Sequence, residues 1–156
     1  MLQHRFIDSV RKHPSKIAFV DRTTGRDVSY SQALLASLIL ARRFRKMERG
    51  RIGIMLPTSS GAALTIIGAV MTRLTTVMIN YSTGAEKNCL FAQKKCDFKV
   101  IVTTKALLEK TGCKQLPDMV FIEDIMANLG GFEKALAFLK SKLPLSLLKR
   151  LAGKPN

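Results

Sequence analysis

The sequence predicts an α/β protein: a doubly wound, mostly parallel sheet with a small N-terminal hairpin. Three observations carry this. Apolar runs at Ile52–Leu56, Val77–Ile79, Phe98–Val102 and Met119–Ile122 alternate with stretches of helical character. The Ile52–Leu56 run is apolar at almost every position, as a strand covered on both faces must be. Two polar loops, Pro57–Gly61 and Asn80–Gly84, follow the first two runs, where open parallel sheets place their ligands.

Each element has its own local reason. Phe6 and Val10, with Arg5, Arg11 and Lys12, predict a short amphipathic helix ending near Pro14. Ile17–Val20 and Val28–Tyr30 flank Arg22-Thr-Thr-Gly-Arg26, and Gly25 suits a turn that needs positive φ, so a two-stranded flap outside the main sheet is expected. Ser29 with Gln32 three residues later matches a capping box. Leu34, Leu35, Leu38, Ile39 and Phe44 then recur at helical spacing.

A helix from about Gly61 to Thr72 carries Ala62, Ala63, Gly68 and Ala69, small residues that suit close packing on a sheet. It is the crossover that makes the strands at Ile52 and Val77 parallel. Further helices at Ala85–Lys95 and Thr104–Lys110 lead to the last two strands. Ile54, Leu56, Val77, Ile79, Val100 and Val102 are the expected core of the sheet.

Length and charge bound the function. A chain of 156 residues buries enough surface for one core. Its formal net charge of +15 calls for an anionic partner: nucleic acid, anionic lipid or an acidic protein. Specific nucleic-acid binding is not expected, since aromatics are only 6% of residues and no recognised nucleic-acid motif is present. The basic cluster Arg42, Arg43, Arg45 and Lys46, near the end of the long helix, is either an anion-binding patch or a solvated last turn that complements the helix dipole.

Cys89, Cys96 and Cys113 match neither a zinc ribbon nor a redox pair, with only His4 and His13 to assist, so no metal site is expected. Ser31 has no histidine in a suggestive relation to it and is not read as a nucleophile. An odd number of thiols without a secretory leader fits a reducing cytoplasm. No run reaches the ~18 apolar residues of a spanning helix.

After Glu123 the character changes. Phe132, Leu136, Phe138, Leu139, Leu143, Leu147, Leu148 and Leu151 alternate with Lys134, Lys140, Lys142, Lys149 and Arg150, interrupted by Pro144. Two readings stand: an interfacial helix over residues 132–151 on an anionic membrane, or a helix docking on a neighbouring domain. Residues 1–125 are thus read as one unit, and 126–156 as a basic amphipathic segment.

Three segments carry a family resemblance: Val20-Asp-Arg-Thr-Thr-Gly-Arg-Asp-Val-Ser-Tyr-Ser-Gln-Ala-Leu34, the strand and loop Ile52–Gly61, and Met78-Ile-Asn-Tyr-Ser-Thr-Gly-Ala-Glu-Lys-Asn-Cys89. Together they resemble the N-terminal segment of the AMP-forming acyl synthetases, over residues 4–125. Within that adenylate-forming superfamily they look most like the acyl–acyl carrier protein synthetase half of the bifunctional acylglycerophosphoethanolamine acyltransferases. The resemblance implies an ATP- and Mg-dependent ligase that turns a fatty acid into an acyl adenylate, which a thiol of acyl carrier protein or CoA then attacks. It also implies a Gly/Ser/Thr-rich loop ending in Pro-Lys-Gly, an acidic residue on the ribose and a lysine in a mobile C-terminal domain.

None of these three can be placed in the sequence, so no catalytic, cofactor-binding or metal residue is assigned. The chain is expected to be the N-terminal part of the AMP-binding domain, ending before the phosphate loop and inactive alone. Pro57-Thr-Ser-Ser-Gly61 has no lysine and fits no Walker loop; its hydroxyls suit either an anion or a helix cap. The sequence departs from the family pattern at Arg73, where a helix-ending Gly is usual, and at Thr76, where Pro is usual. An Arg held in the left-handed region costs on the order of 1 kcal/mol. The alternative reading is a basic interaction module, cytoplasmic or peripheral at the inner face of a membrane, binding anionic lipid or an acidic protein through 42–51 and 134–150.

Overall fold

In the computed structural model, residues 1–22 and 25–153 are described; Thr23 and Thr24 of the expected hairpin turn, and 154–156 of the basic segment, lie outside them. Helix α1 (Leu2–Lys12) is followed by an antiparallel pair, β1 (Ile17–Asp21) and β2 (Arg26–Ser29), that stands apart from the main sheet. Gly25 takes φ +66 at its turn, as the sequence requires. Helix α2 (Tyr30–Met47) opens on the expected capping box: the Gln32 amide donates to Ser29 Oγ (3.3 Å) and the Ser29 amide donates to Gln32 Oε1 (2.8 Å).

The main sheet alternates strands and helices: β3 (Arg51–Ile54), α3 (Ser60–Val70), β4 (Thr75–Met78), α4 (Ala85–Cys96), β5 (Ile101–Thr103), α5 (Lys105–Thr111) and β6 (Met119–Phe121). Its four strands run parallel in the order β4-β3-β5-β6. The first connection leads to one side of β3 and the next crosses back to the other, so the helices divide between two faces. Ile52, Ile54 and Val102 pack with α2 and α3, whereas Met55, Ile101 and Phe121 pack with α4 and α5. This is the doubly wound sheet the alternation predicts, with its topological switch between β3 and β5.

Two expected core positions differ. Ile54, Leu56, Ile79 and Val102 are buried, but Val77 and Val100 are only half-buried. The reason for Val77 is position: β4 is an edge strand, and the side chain of Met78 beside it is 57% exposed. Val100 lies just before β5.

One small residue acts differently than expected. A Cβ on Gly68 would stand 2.9 Å from Leu40 Cβ and 3.2 Å from Ser37 O, so Gly68 admits α2, while Ala62 and Ala69 lie in one cluster with Ile52, Ile54 and Val102 of the sheet. On the opposite face, a Cβ on Gly53 would lie 2.5 Å from the Phe98 ring, so Gly53 makes room for that ring on β3.

The segment after β6 contains α6 (Ile122–Ala127), α7 (Gly131–Ser141) and α8 (Leu145–Leu151). It folds back on the chain itself: α7 packs along α2, and α8 along α1. Ala137, Leu148 and Ala152 are buried, with Leu148 in the same cluster as Ile7, Leu34 and Ile67. Neither sequence reading of 132–151 foresaw this intramolecular dock. Among the described residues no helix is long and apolar enough to cross a membrane.

Candidate functional site

The two strand-end loops occupy the places where a sheet of this kind meets its ligand, and the structure gives them different chemistry. After β3, Ser59 Oγ accepts from the Ala62 amide (3.2 Å) and donates to Pro57 O (3.2 Å), capping α3. Asp21, at the end of β1, supplies a carboxylate to the same helix end: its Oδ2 accepts from the Ser60 amide (3.0 Å) and hydroxyl (2.5 Å). A buried negative group therefore already stands where an incoming anion would meet the helix dipole. Asp21 escaped the sequence reading because its partner lies 39 positions away and nothing local marks the pair.

After β4, Asn80 Oδ1 accepts from the Ser82 amide (2.8 Å), and Asn88 Nδ2 donates to Asn80 O (2.9 Å) and Thr83 O (2.7 Å). These bonds tie the loop to the first turn of α4. Gly84 stands before that helix at φ +63 and makes no side-chain cap. A cleft of about 670 Å³ opens beside it, lined by residues of 81–87 and 110–113 that include Lys87 and Lys110. Glu86 lies in the same turn.

The thiols near this cleft are not activated. Burial first, then Cys113 and Glu86, push Cys89 up to about 11, and burial with Glu86 raises Cys113. Both are protonated at neutral pH, the reverse of a nucleophilic cysteine. Thr103, at the carboxyl end of β5, is fully buried, and its hydroxyl has no partner among the described residues. Among these residues no group of three His, Cys, Asp or Glu could hold a metal ion.

The basic cluster divides: Arg42 and Arg43 are half-buried and paired, whereas Arg45 and Lys46 are exposed in the last turn of α2, as the solvated reading expects. Arg43 Nη2 donates to Glu133 Oε2 (2.5 Å) and to Asn128 O (2.6 Å), and Arg42 Nε stands 3.7 Å from Glu133 Oε1. Arg45 Nη2 donates to Leu151 O at 3.4 Å. These guanidinium groups fasten α7 and the end of α8 to α2. Lys140 is pulled below its ordinary value by burial first and by Arg42 and Arg45 beside it. Ser31 Oγ donates to Pro14 O (2.9 Å), so it serves the α1–α2 corner. His4 Nε2 lies 2.7 Å from Gly153 O, joining the two ends of the described chain.

At the loop after β3 the Ser60 amide is already taken by Asp21, so that amide is not free for a phosphate. No step is assigned to a bound nucleotide on these residues.

The fold is a doubly wound α/β domain with two polar loops at its strand ends. The chain belongs to the AMP-binding enzyme family, whose model matches residues 6–141. Solved structures of similar fold include a nonribosomal peptide synthetase, FmoA3 (S1046A), bound to α-methyl-L-serine-AMP, with a TM-score of 0.70 and 12% identity over 83% of this chain and 14% of that one. The N-terminal domain of FACL13 from Mycobacterium tuberculosis, inhibitor-bound, gives 0.66 and 15% over 80% of this chain and 34% of that one. O-succinylbenzoate coenzyme A synthetase (MenE) from Bacillus subtilis, in complex with ATP and magnesium ion, gives 0.67 and 12% over 80% and 34%. The chain thus spans from about a seventh to a third of the length of these structures.

Proposed function

We propose that the chain is the N-terminal part of an ATP- and Mg-dependent, AMP-forming fatty acyl ligase, and that it supplies scaffold rather than chemistry. The observation that carries this is the β3–α3–β4 unit with its two polar loops, inside a region that the AMP-binding family model matches. Residues 1–125 are the proposed piece of the adenylation domain, and 126–156 a segment appended to it. By resemblance the carboxylate is a fatty acid and the acceptor thiol belongs to acyl carrier protein or CoA. Neither the described loops nor their neighbours offer a lysine-bearing phosphate loop, so the chain alone is inactive. The test is carboxylate-dependent exchange of pyrophosphate into ATP by a protein that continues this chain through the missing loop. Exchange with fatty acids supports the reading; exchange with amino acids or aryl acids only overturns the acyl assignment.

A second reading rests on the outer face of the tail. Phe132 and Leu139 are 73% and 65% exposed, and Leu145, Leu147, Lys134, Lys142 and Arg150 are exposed as well. Large apolar side chains among cations suit an anionic membrane surface and a peripheral, cytoplasmic location. Co-sedimentation with vesicles tests it: the Phe132→Ser/Leu139→Ser variant should pellet less than the parent on anionic vesicles, and equal pelleting rules the surface out.

A further inference from the structure

Strand β4 forms one edge of the main sheet, and its outer side carries no further strand among the described residues. The Thr75 amide donates to Gly50 O (2.8 Å) and the Ile79 amide to Ile54 O (2.9 Å), so the odd positions turn to β3. By alternation, the N–H and C=O of Thr76 and Met78 turn to the open side. The groups next along that side are already spent: the Leu74 amide donates to Ala69 O (3.2 Å), and Asn80 O accepts from Asn88 Nδ2 (2.9 Å). Thr76 and Met78 therefore present their donors and acceptors between closed positions on both flanks. From this we infer that β4 pairs antiparallel with β4 of a second copy of the chain. The two-fold axis passes at Val77, Thr76 of each copy stands opposite Met78 of the other, and two four-stranded sheets become one.

Hydrogen-bond symmetry selects this occupant and this register. Centred on Val77, each free N–H meets a free C=O of the other copy, and nothing is left over. Centring on Thr76 would set Met78 against Leu74, and centring on Met78 would set Thr76 against Asn80. Both need a group that the chain already uses.

Charge points the same way. A chain of net charge +15 approaches its own copy most easily where cations are absent. Leu74-Thr-Thr-Val-Met-Ile-Asn-Tyr81 contains no charged residue. Arg73, which precedes it, is turned against Gly153 at the end of the tail. Devices that blunt an edge strand are missing too: β4 has no Pro, no Lys and an unbroken register with β3. The Met78 side chain, 57% exposed, gains a cross-strand neighbour in Thr76 of the other copy.

The pairing rests on β4 alone and does not depend on the ligase reading. Sedimentation equilibrium of the 156-residue protein, with reductant and at a salt concentration that screens its net charge, reads it directly. A reversible monomer–dimer equilibrium is expected. Thr76→Pro removes the outward N–H of each copy and leaves the bonds to β3 in place, so dimerisation should weaken by about tenfold or more. Thr76→Ala keeps that N–H and should dimerise like the parent. Met78→Lys places a cation at the edge and should weaken the dimer as well. It serves if Thr76→Pro does not fold, with parental melting required of whichever is used. Val77→Cys reads the register, since it faces its own copy across the axis as a non-hydrogen-bonded pair. With oxidised glutathione it should give more disulfide-linked dimer than the parent, whose thiols are Cys89, Cys96 and Cys113.

A monomer at every concentration overturns the proposal. So does a dimer that neither Thr76→Pro nor Met78→Lys weakens, which would assign association to another face. Equal weakening by Thr76→Ala and Thr76→Pro, or cross-linking of Val77→Cys no greater than the parent's, overturns it too. Growth beyond a dimer has the same force, because a two-fold pairing closes on itself.

Discussion

Arg73 lies against Gly153: a Cβ added to Gly153 would stand 3.2 Å from both Cγ and Nε of Arg73. Both residues are in the left-handed region, at φ +66 and +95. Arg73 ends α3 in a Schellman pattern, its amide donating to Val70 O (3.1 Å) and that of Leu74 to Ala69 O (3.2 Å). The position that departs from the family pattern thus keeps a glycine-like backbone, and its side chain covers the end of the tail.

The Arg73 pair gives a two-variant test. Arg73→Ala keeps the unfavourable backbone and removes the cover, whereas Arg73→Gly removes both. Urea denaturation should show Arg73→Gly more stable than Arg73→Ala by about 1 kcal/mol. Equal stability would show that the left-handed conformation is not retained.

Glu133 holds Arg42 and Arg43 to α7. Glu133→Ala leaves two guanidinium groups without their shared carboxylate, each with a buried Nε that lacks a hydrogen bond. A loss of about 1–2 kcal/mol is expected, tempered by the partial exposure of all three side chains. Amide exchange should quicken in α7 while the sheet stays protected. Unchanged exchange in α7 would show that its apolar contacts alone hold it.

The sheet and its crossovers were legible because a strand buried on both faces and an amphipathic helix leave different periodicities, clear in Ile52–Leu56 and Leu34–Phe44. The Ser29–Gln32 capping box was legible because both partners sit within one turn. Edge position was not, since Val77 reads the same whether or not a further strand lies beside it. Contacts between distant segments were hidden for the same reason: Asp21 with Ser60, Arg43 with Glu133 and Gly53 with Phe98 each join residues that no local pattern relates. The basic tail was ambiguous because its cations and apolar residues suit a membrane and a helix dock equally well.

Edge and centre should respond differently to charge. Ile54→Asp buries an unpaired carboxylate in the central strand, costing several kcal/mol, enough to unfold a domain of marginal stability. Val77→Asp, on the half-buried edge strand, should remain folded with a lower melting temperature. Circular dichroism melts of both variants compare them; a folded Ile54→Asp would contradict the strand order.

Glu48 joins the end of α2 to the approach to β5, accepting from the amides of Arg49 (2.9 Å), Lys99 (3.0 Å) and Val100 (3.2 Å). Burial alone would raise its carboxyl, but these amides and the Lys99 charge outweigh it and hold the group below its ordinary value. A depressed carboxyl contributes stability above its unfolded value, about 4.3, and loses it as pH falls through the folded value. Glu48→Gln should therefore be less stable than the parent by about 1 kcal/mol at neutral pH. The gap should close below that range. A gap independent of pH would show that the ionised carboxylate is not responsible.

Under the proposed function the chain supplies scaffold and does not activate a carboxylate by itself. The direct measurement is fatty-acid-dependent exchange of labelled pyrophosphate into ATP, run on the purified 156-residue protein with magnesium. Exchange equal to that of a preparation lacking the protein is expected, because Asp21 takes the Ser60 amide of α3 and neither described strand-end loop carries a Pro-Lys-Gly phosphate loop. Exchange above that background, lost when the protein is heat-denatured, would contradict the account.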